Sequence, residues 1–253
     1  MRADHTTQNA RAQLATLAGA VASGSGGPGF EAFAGLPIAA NSRAAAVLML
    51  FGVLDGQPSD REAQADAVSR NLDVLLLKRA STLRSNPSQI AFPGGRLDPG
   101  DDSPIAAALR EAEEETGLDP AGVEVLGALE TVPLAFTQHV VVPVLAWWRH
   151  PSPVRVVDEA ESSDVFRAPV AELLDPANRG VTVIRRDDQE WRGPGFLVRR
   201  VDARGEPDGE HLVWGFTGML LEGLFDRLGW TEPWDRAREL PLVLPDLDSS
   251  SAR

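Results

Sequence analysis

The sequence predicts an α/β protein in which helices flank a mixed β-sheet, and three observations predict it. Seven short apolar runs, at residues 44–53, 73–77, 123–129, 140–148, 181–184, 196–198 and 211–214, have strand length and are separated by turn residues. Helical stretches lie between them at 104–116, 169–174 and 217–228, the last with apolar Met219, Leu220, Leu224 and Leu228. Strands outnumber helices and the order does not alternate regularly, so a doubly wound parallel sheet fits poorly.

Composition narrows what such a fold does. A chain of 253 residues suits one sizeable domain with decorations, and 43% hydrophobic residues are enough for it to bury a core. Lysine and arginine number 24 against 37 aspartate and glutamate, a net charge of −13, so broad binding to nucleic acid or to an anionic membrane is disfavoured. A small anionic substrate needs a cation or a local arginine cluster. Cysteine is absent, which excludes disulfides, thiolate metal sites and a cysteine nucleophile. The longest clean apolar run near the middle, Val140 to Trp148, contains Pro143 and falls far short of the roughly 20 residues that span a bilayer. The polar start, Met1 to His5, is not followed by an apolar signal core. The expected location is the cytoplasm.

Along the chain, residues 6–22 read as a helix, and Ser23-Gly24-Ser25-Gly26-Gly27-Pro28-Gly29 reads as a linker. That stretch is no phosphate loop, because no Gly-Lys-Ser/Thr follows it. Residues 1–40 therefore form an expected helical arm and linker, 41–230 the main domain and 231–253 a C-terminal extension. Its polar tail after Leu244 is expected to be disordered.

The helix at 104–116 has the clearest boundaries. Ser103 is placed to cap its first turn, Pro104 takes the first helical position, and Gly117 stands where a left-handed residue stops a helix. Within it Glu111, Glu114 and Glu115 fall in one arc roughly 100° wide. Like charges at that spacing destabilise a helix, and no lysine is interleaved; a hard divalent cation beside a diphosphate would turn the repulsion into coordination. Upstream, Phe92-Pro93-Gly94-Gly95 reads as a turn whose glycines let backbone amides approach a ligand.

The run from Gly95 through Asp101, followed after eight residues by Arg110-Glu111-Ala112-Glu113-Glu114-Glu115-Thr116-Gly117-Leu118, resembles the Nudix box. Asp101 stands where that pattern has glutamate, and the spacer to Arg110 is one residue longer than usual. Leu75-Leu76-Leu77-Lys78-Arg79-Ala80-Ser81-Thr82-Leu83-Arg84, with Gln89-Ile90-Ala91-Phe92-Pro93-Gly94-Gly95, resembles the further signature of the coenzyme A diphosphatase branch. Leu77, Ala80 and Ser88 depart from it. The resemblance covers roughly residues 40–230 and implies the Nudix fold, an α/β/α sandwich with a mixed sheet, and a Mg2+ or Mn2+ cofactor. It further implies hydrolysis of coenzyme A or acyl-coenzyme A to 3′,5′-ADP and (acyl-)4′-phosphopantetheine. The alternatives are a Nudix enzyme acting on ADP-ribose or NADH, and a catalytically silent Nudix domain that senses a ligand or contacts a protein.

The resemblance assigns Glu111 and Glu115 as metal ligands, with Glu114 as a further ligand or the group that holds the water. Arg110 orients a glutamate through a charge-assisted hydrogen bond. Gly94 and Gly95 approach the substrate through their backbone, and Arg79 and Arg84 meet its phosphates or make structural ion pairs. Glu161 is the expected distal acid, with Glu159 as competitor. His5, His139, His150 and His211 are scattered and read as structural or exposed. A homodimer is left open.

Overall fold

The computed structural model describes residues 5–27, 29–36, 38–39, 41–53, 58–83, 85–134, 139–186, 189–201 and 207–242. Four helices, α1 (His5–Ala22), α2 (Pro104–Thr116), α3 (Val170–Leu174) and α4 (Gly215–Leu228), accompany eleven strands. The strands are β1 (Arg43–Val53), β2 (Leu72–Arg79), β3 (Ile90–Ala91), β4 (Gly94–Arg96), β5 (Val123–Ala128), β6 (Val132–Leu134), β7 (His139–Trp148), β8 (Ser162–Pro169), β9 (Arg179–Arg186), β10 (Gln189–Val201) and β11 (Pro207–Val213).

The main sheet has eight strands ordered β3-β2-β1-β7-β5, with β4 on β1, β6 on β7 and β8 on β2. Among the described strands of this sheet the one parallel pair is β1 with β7, and the other pairs are antiparallel, so the sheet is mixed as expected. Alternation along β1 sorts its side chains to two faces. Ala46, Leu48 and Leu50 join Ala107, Ala108 and Ala112 of α2 in one apolar cluster, where small alanines let the helix lie close to the sheet. Ala45, Met49 and Phe51 point the other way into a larger cluster with α1, α3, α4 and Phe196, Val198 and Val213 of the second sheet. That second sheet is a three-stranded meander, β11-β10-β9. The layers are thus helix, sheet and helices.

The N-terminal helix is part of this core. Ala10, Leu14 and Ala18 of α1 are fully buried in the larger cluster, and Ala18 Cβ lies 3.0 Å from where a Cβ on Gly127 would stand. Arg11 pairs with Glu124, Trp230 Nε1 donates to Gln13 Oε1 at 2.6 Å, and Arg227 donates to Glu130 and to the Gly26 carbonyl.

Several elements differ from their expectation. Phe92 to Gly95 is not simply a turn, because Gly94–Arg96 forms β4 and pairs with Val47, Ala46 and Ala45. β8 and the full lengths of β10 and β11 also exceed the apolar runs, since Ser162, Asp164 and Arg167 interrupt the pattern in β8 and Gly193-Pro194-Gly195 interrupts it in β10. The tail after Leu244 lies outside the described residues.

Candidate active site

The site is built where α2 meets β4. Ser103 caps α2 by accepting from the Ala106 amide at 3.1 Å, and Gly117 ends it in the left-handed region with φ 68°. Both ends therefore fall where the sequence places them, and the register of the glutamates is set. On the facing strand, a Cβ at Gly94 would collide with the Ala46 carbonyl, and one at Gly95 would lie 2.5 Å from the Glu111 carboxylate. Only glycine lets the helix acids reach this backbone.

The three glutamates take different environments. Glu115 is 9% exposed, and its Oε2 accepts the Gly94 amide at 2.9 Å. Burial pushes its carboxyl up to about 7; the Gly94 amide opposes this, the like charges of Glu111 and Glu161 add to it, and Arg79 opposes it. Glu111 is raised as well, by burial first, against the pull of Arg110. Glu114 is largely exposed and accepts from Arg110 Nη1 at 2.8 Å.

Arg110 is the hub. It donates to both oxygens of Asp101 at 3.0 and 2.9 Å, to Glu111 Oε1 at 3.0 Å and to the Arg96 carbonyl at 3.1 Å. Asp101 Oδ2 also accepts the Asp98 amide at 2.8 Å, and the Arg110 guanidinium holds the Asp101 carboxyl below the usual carboxylate range. The expected crowding of three glutamates is thus relieved in part by one arginine and one backbone amide. Sequence reasoning left Asp101 without a role. Its signal was an acid kept beside the glycine loop, nine residues before Arg110.

The outlying candidates are dispersed. Arg79 Nη2 donates to the Ser85 carbonyl at 3.5 Å, while its Nε is buried without a hydrogen-bond partner among the described residues. Arg84 lies outside the described residues. Glu161 is exposed, and its carbonyl accepts the Ala80 amide at 2.8 Å beside Arg79. Of the two distal candidates, Glu161 acts on Glu115 electrostatically. His211 is buried and bonds Asp164 at 2.9 Å, and His139 accepts from Arg96. Among the described residues no three Asp, Glu or His side chains already surround one point. No described helix is long and apolar enough to cross a membrane.

The donor chemistry nevertheless suits a hard divalent cation. The available ligands are all carboxylate oxygens, and the two closest to the glycine strand, Glu111 and Glu115, repel each other where water is scarce. A sandwich whose capped helix brings such acids onto a glycine strand defines the class of protein. The NUDIX domain model matches residues 60–187, half of the chain, and the chain belongs to this family.

Its relatives include the Nudix hydrolase NudL of Escherichia coli K12, 46% identical over 62% of this chain and 75% of that protein. Nudix hydrolase 15, mitochondrial, of Arabidopsis thaliana is 32% identical over 71% of this chain and 56% of the relative. The chain spans about half the length of the plant relatives it matches. Among solved structures, a MutT/nudix family protein from Enterococcus faecalis matches 77% of this chain and 64% of its own at 18% identity, with a TM-score of 0.45.

Proposed function

We propose that the chain is a metal-dependent diphosphatase of nucleoside diphosphate derivatives, with coenzyme A or acyl-coenzyme A as the substrate to test first. The observation that carries the reading is the pairing of buried Glu115 with the Gly94 amide, beside Glu111 held by Arg110. Family membership supports the hydrolytic class, and the Leu75–Arg84 and Phe92–Gly95 segments support the coenzyme A branch. Glu111 and Glu115 would hold Mg2+ or Mn2+, with Glu114 joining after release from Arg110. When bound, the ion withdraws charge from the diphosphate oxygens and stabilises the departing phosphate.

The chain's own residues do the rest. Gly94 and Gly95, by lacking side chains, let the Glu115 and Glu111 carboxylates lie against the strand, so the diphosphate would meet these acids and the ion they hold beside it. Arg110, fixed from behind by Asp101, keeps the Glu111 carboxylate in place. Arg79, whose charge already acts on Glu115, would set a guanidinium toward a phosphate oxygen. Glu161 takes the proton of the attacking water as the new P–O bond forms and the bridging P–O bond breaks. Hydrolysis of ADP-ribose or NADH is the second reading, since the family's hydrolytic chemistry does not depend on which nucleotide is joined.

The test is incubation with Mg2+ and a panel of coenzyme A, acyl-coenzyme A, ADP-ribose and NADH. Release of 3′,5′-ADP is expected, and release no faster than in a metal-chelated control would overturn the coenzyme A reading.

A further inference from the structure

Glu161 stands at the end of a turn that one aspartate organises. Asp158 Oδ1 accepts the Ala160 amide at 2.8 Å, and the Asp158 carbonyl accepts the amides of Glu161 at 3.1 Å and Ser162 at 3.0 Å. A carboxylate that bonds the amide two residues on makes an Asx turn, which lets a short side chain stand in for a turn of backbone. Asp158 thus orders the amides of residues 160, 161 and 162 immediately ahead of and into β8. Its side chain is exposed, so packing gives no reason for an acid at this position.

Both ends of the turn are tied to the elements that carry the site. Upstream, the Arg155 amide donates at 2.9 Å to the carbonyl of Thr116, the residue after Glu115, and Val154 packs into the apolar cluster of α2. A Cβ on Gly117 would lie 3.6 Å from Val157. Downstream, the Ala80 amide donates to the Glu161 carbonyl at 2.8 Å. Ala80 adjoins Arg79, and the charges of Arg79 and Glu161 both act on Glu115. The segment therefore runs from the end of α2 to the end of β2, and the turn at Asp158 sets its path between those two anchors. β8 then takes up one extra residue, Ser163, between the Lys78–Asp164 and Arg79–Ser162 pairs, a bulge of the kind that re-aims side chains beside a site.

We infer that Asp158 is a positioning residue, whose turn aims the Glu161 carboxylate at the attacking water. The inference rests on the diphosphatase reading and deepens it by assigning a residue that touches neither substrate nor ion. Displacing a reacting group by about 1 Å costs as much as 100-fold in rate, so a turn that shapes only backbone carries kinetic weight. Side-chain length separates geometry from charge. Asparagine keeps the acceptor oxygen in place without the charge, whereas glutamate keeps the charge but carries its oxygens one methylene too far to close the same ring.

Steady-state kinetics with Mg2+ and the best-hydrolysed diphosphate of the panel test this. Asp158→Ala and Asp158→Glu are each expected to lower kcat by about tenfold or more with KM little changed, and Asp158→Asn to escape most of that loss. Glu161→Gln should lower kcat by about 100-fold. Adding Asp158→Ala to it should cost nothing further, because a turn that acts through Glu161 has no base left to aim. Amide hydrogen exchange followed by NMR supplies a readout apart from turnover: the Ala160 amide should exchange more slowly in the unaltered protein and in Asp158→Asn than in Asp158→Ala. An unchanged kcat in Asp158→Ala, a rate in Asp158→Asn as low as in Asp158→Ala, or a full further loss in the Glu161→Gln background would each overturn the inference. So would an Ala160 amide that exchanges equally fast in all three. Metal-dependent turnover that is indifferent to Asp158 sinks the positioning role and spares the diphosphatase reading. Absence of metal-dependent hydrolysis across the panel sinks that reading, and the role of Asp158 with it, even where the exchange pattern holds.

Discussion

Five oxygens accept hydrogen bonds from the Arg110 side chain: two of Asp101, one each of Glu111 and Glu114, and the Arg96 carbonyl. A lysine there keeps the charge but not the planar fork, so Arg110→Lys is expected to lower kcat by about 100-fold or more with the fold intact by circular dichroism. Asp101→Asn should cost less, about tenfold, because one acceptor persists on the side of the guanidinium away from the reaction. Glu115 makes a pH prediction with a definite sign. Its folded pKa of about 7 lies above the ordinary 4.5, so its contribution to stability is fully present below about 4.5 and is lost as pH rises through about 7. In chelator, the melting temperature of Glu115→Gln should therefore gain on that of the unaltered protein between pH 5 and pH 8. A difference that stays flat over this window would refute the burial argument. Gly95→Ala, by driving a methyl into the Glu111 carboxylate, should abolish turnover while leaving the melting temperature within a few degrees.

Single elements differ in how openly their sequence declares them. The ends of α2 are local chemistry, Ser103 at one and Gly117 at the other, and both were legible without tertiary information. Removing the cap with Ser103→Ala should cost about 1 kcal/mol in denaturant unfolding. β8 was illegible for the opposite reason. Two of its polar residues are paired with partners distant in the chain, Asp164 with His211 and Arg167 with Asp73, so they look like interruptions until the fold closes. β4 was hidden because two glycines in three residues imitate a turn, although their lack of side chains serves the approach of Glu111 and Glu115. The candidate site divides along the same line. The helix acids and Arg110 lie within one recognisable run, whereas the closure of Asp101 onto Arg110 requires the intervening loop to fold back, and the meeting of Arg96 with His139 requires two strand registers.

At the scale of the molecule, α1 bears on stability more than its position ahead of the family-matched segment suggests. Leu14 is fully buried among residues of the sheet and of α4, so Leu14→Ala should cost about 2–5 kcal/mol and lower the melting temperature measurably. An unchanged melting temperature would mean that α1 is detachable. The contacts that hold this helix join distant parts of the chain: Arg11 reaches a partner 113 residues away and Gln13 one 217 residues away. α1 precedes α4 and Trp230 in the chain, so it is synthesised before its apolar stripe has a complete seat. Until those later elements emerge, Ala10, Leu14 and Ala18 form a sticky apolar stripe for which the growing polypeptide has no complete internal shelter.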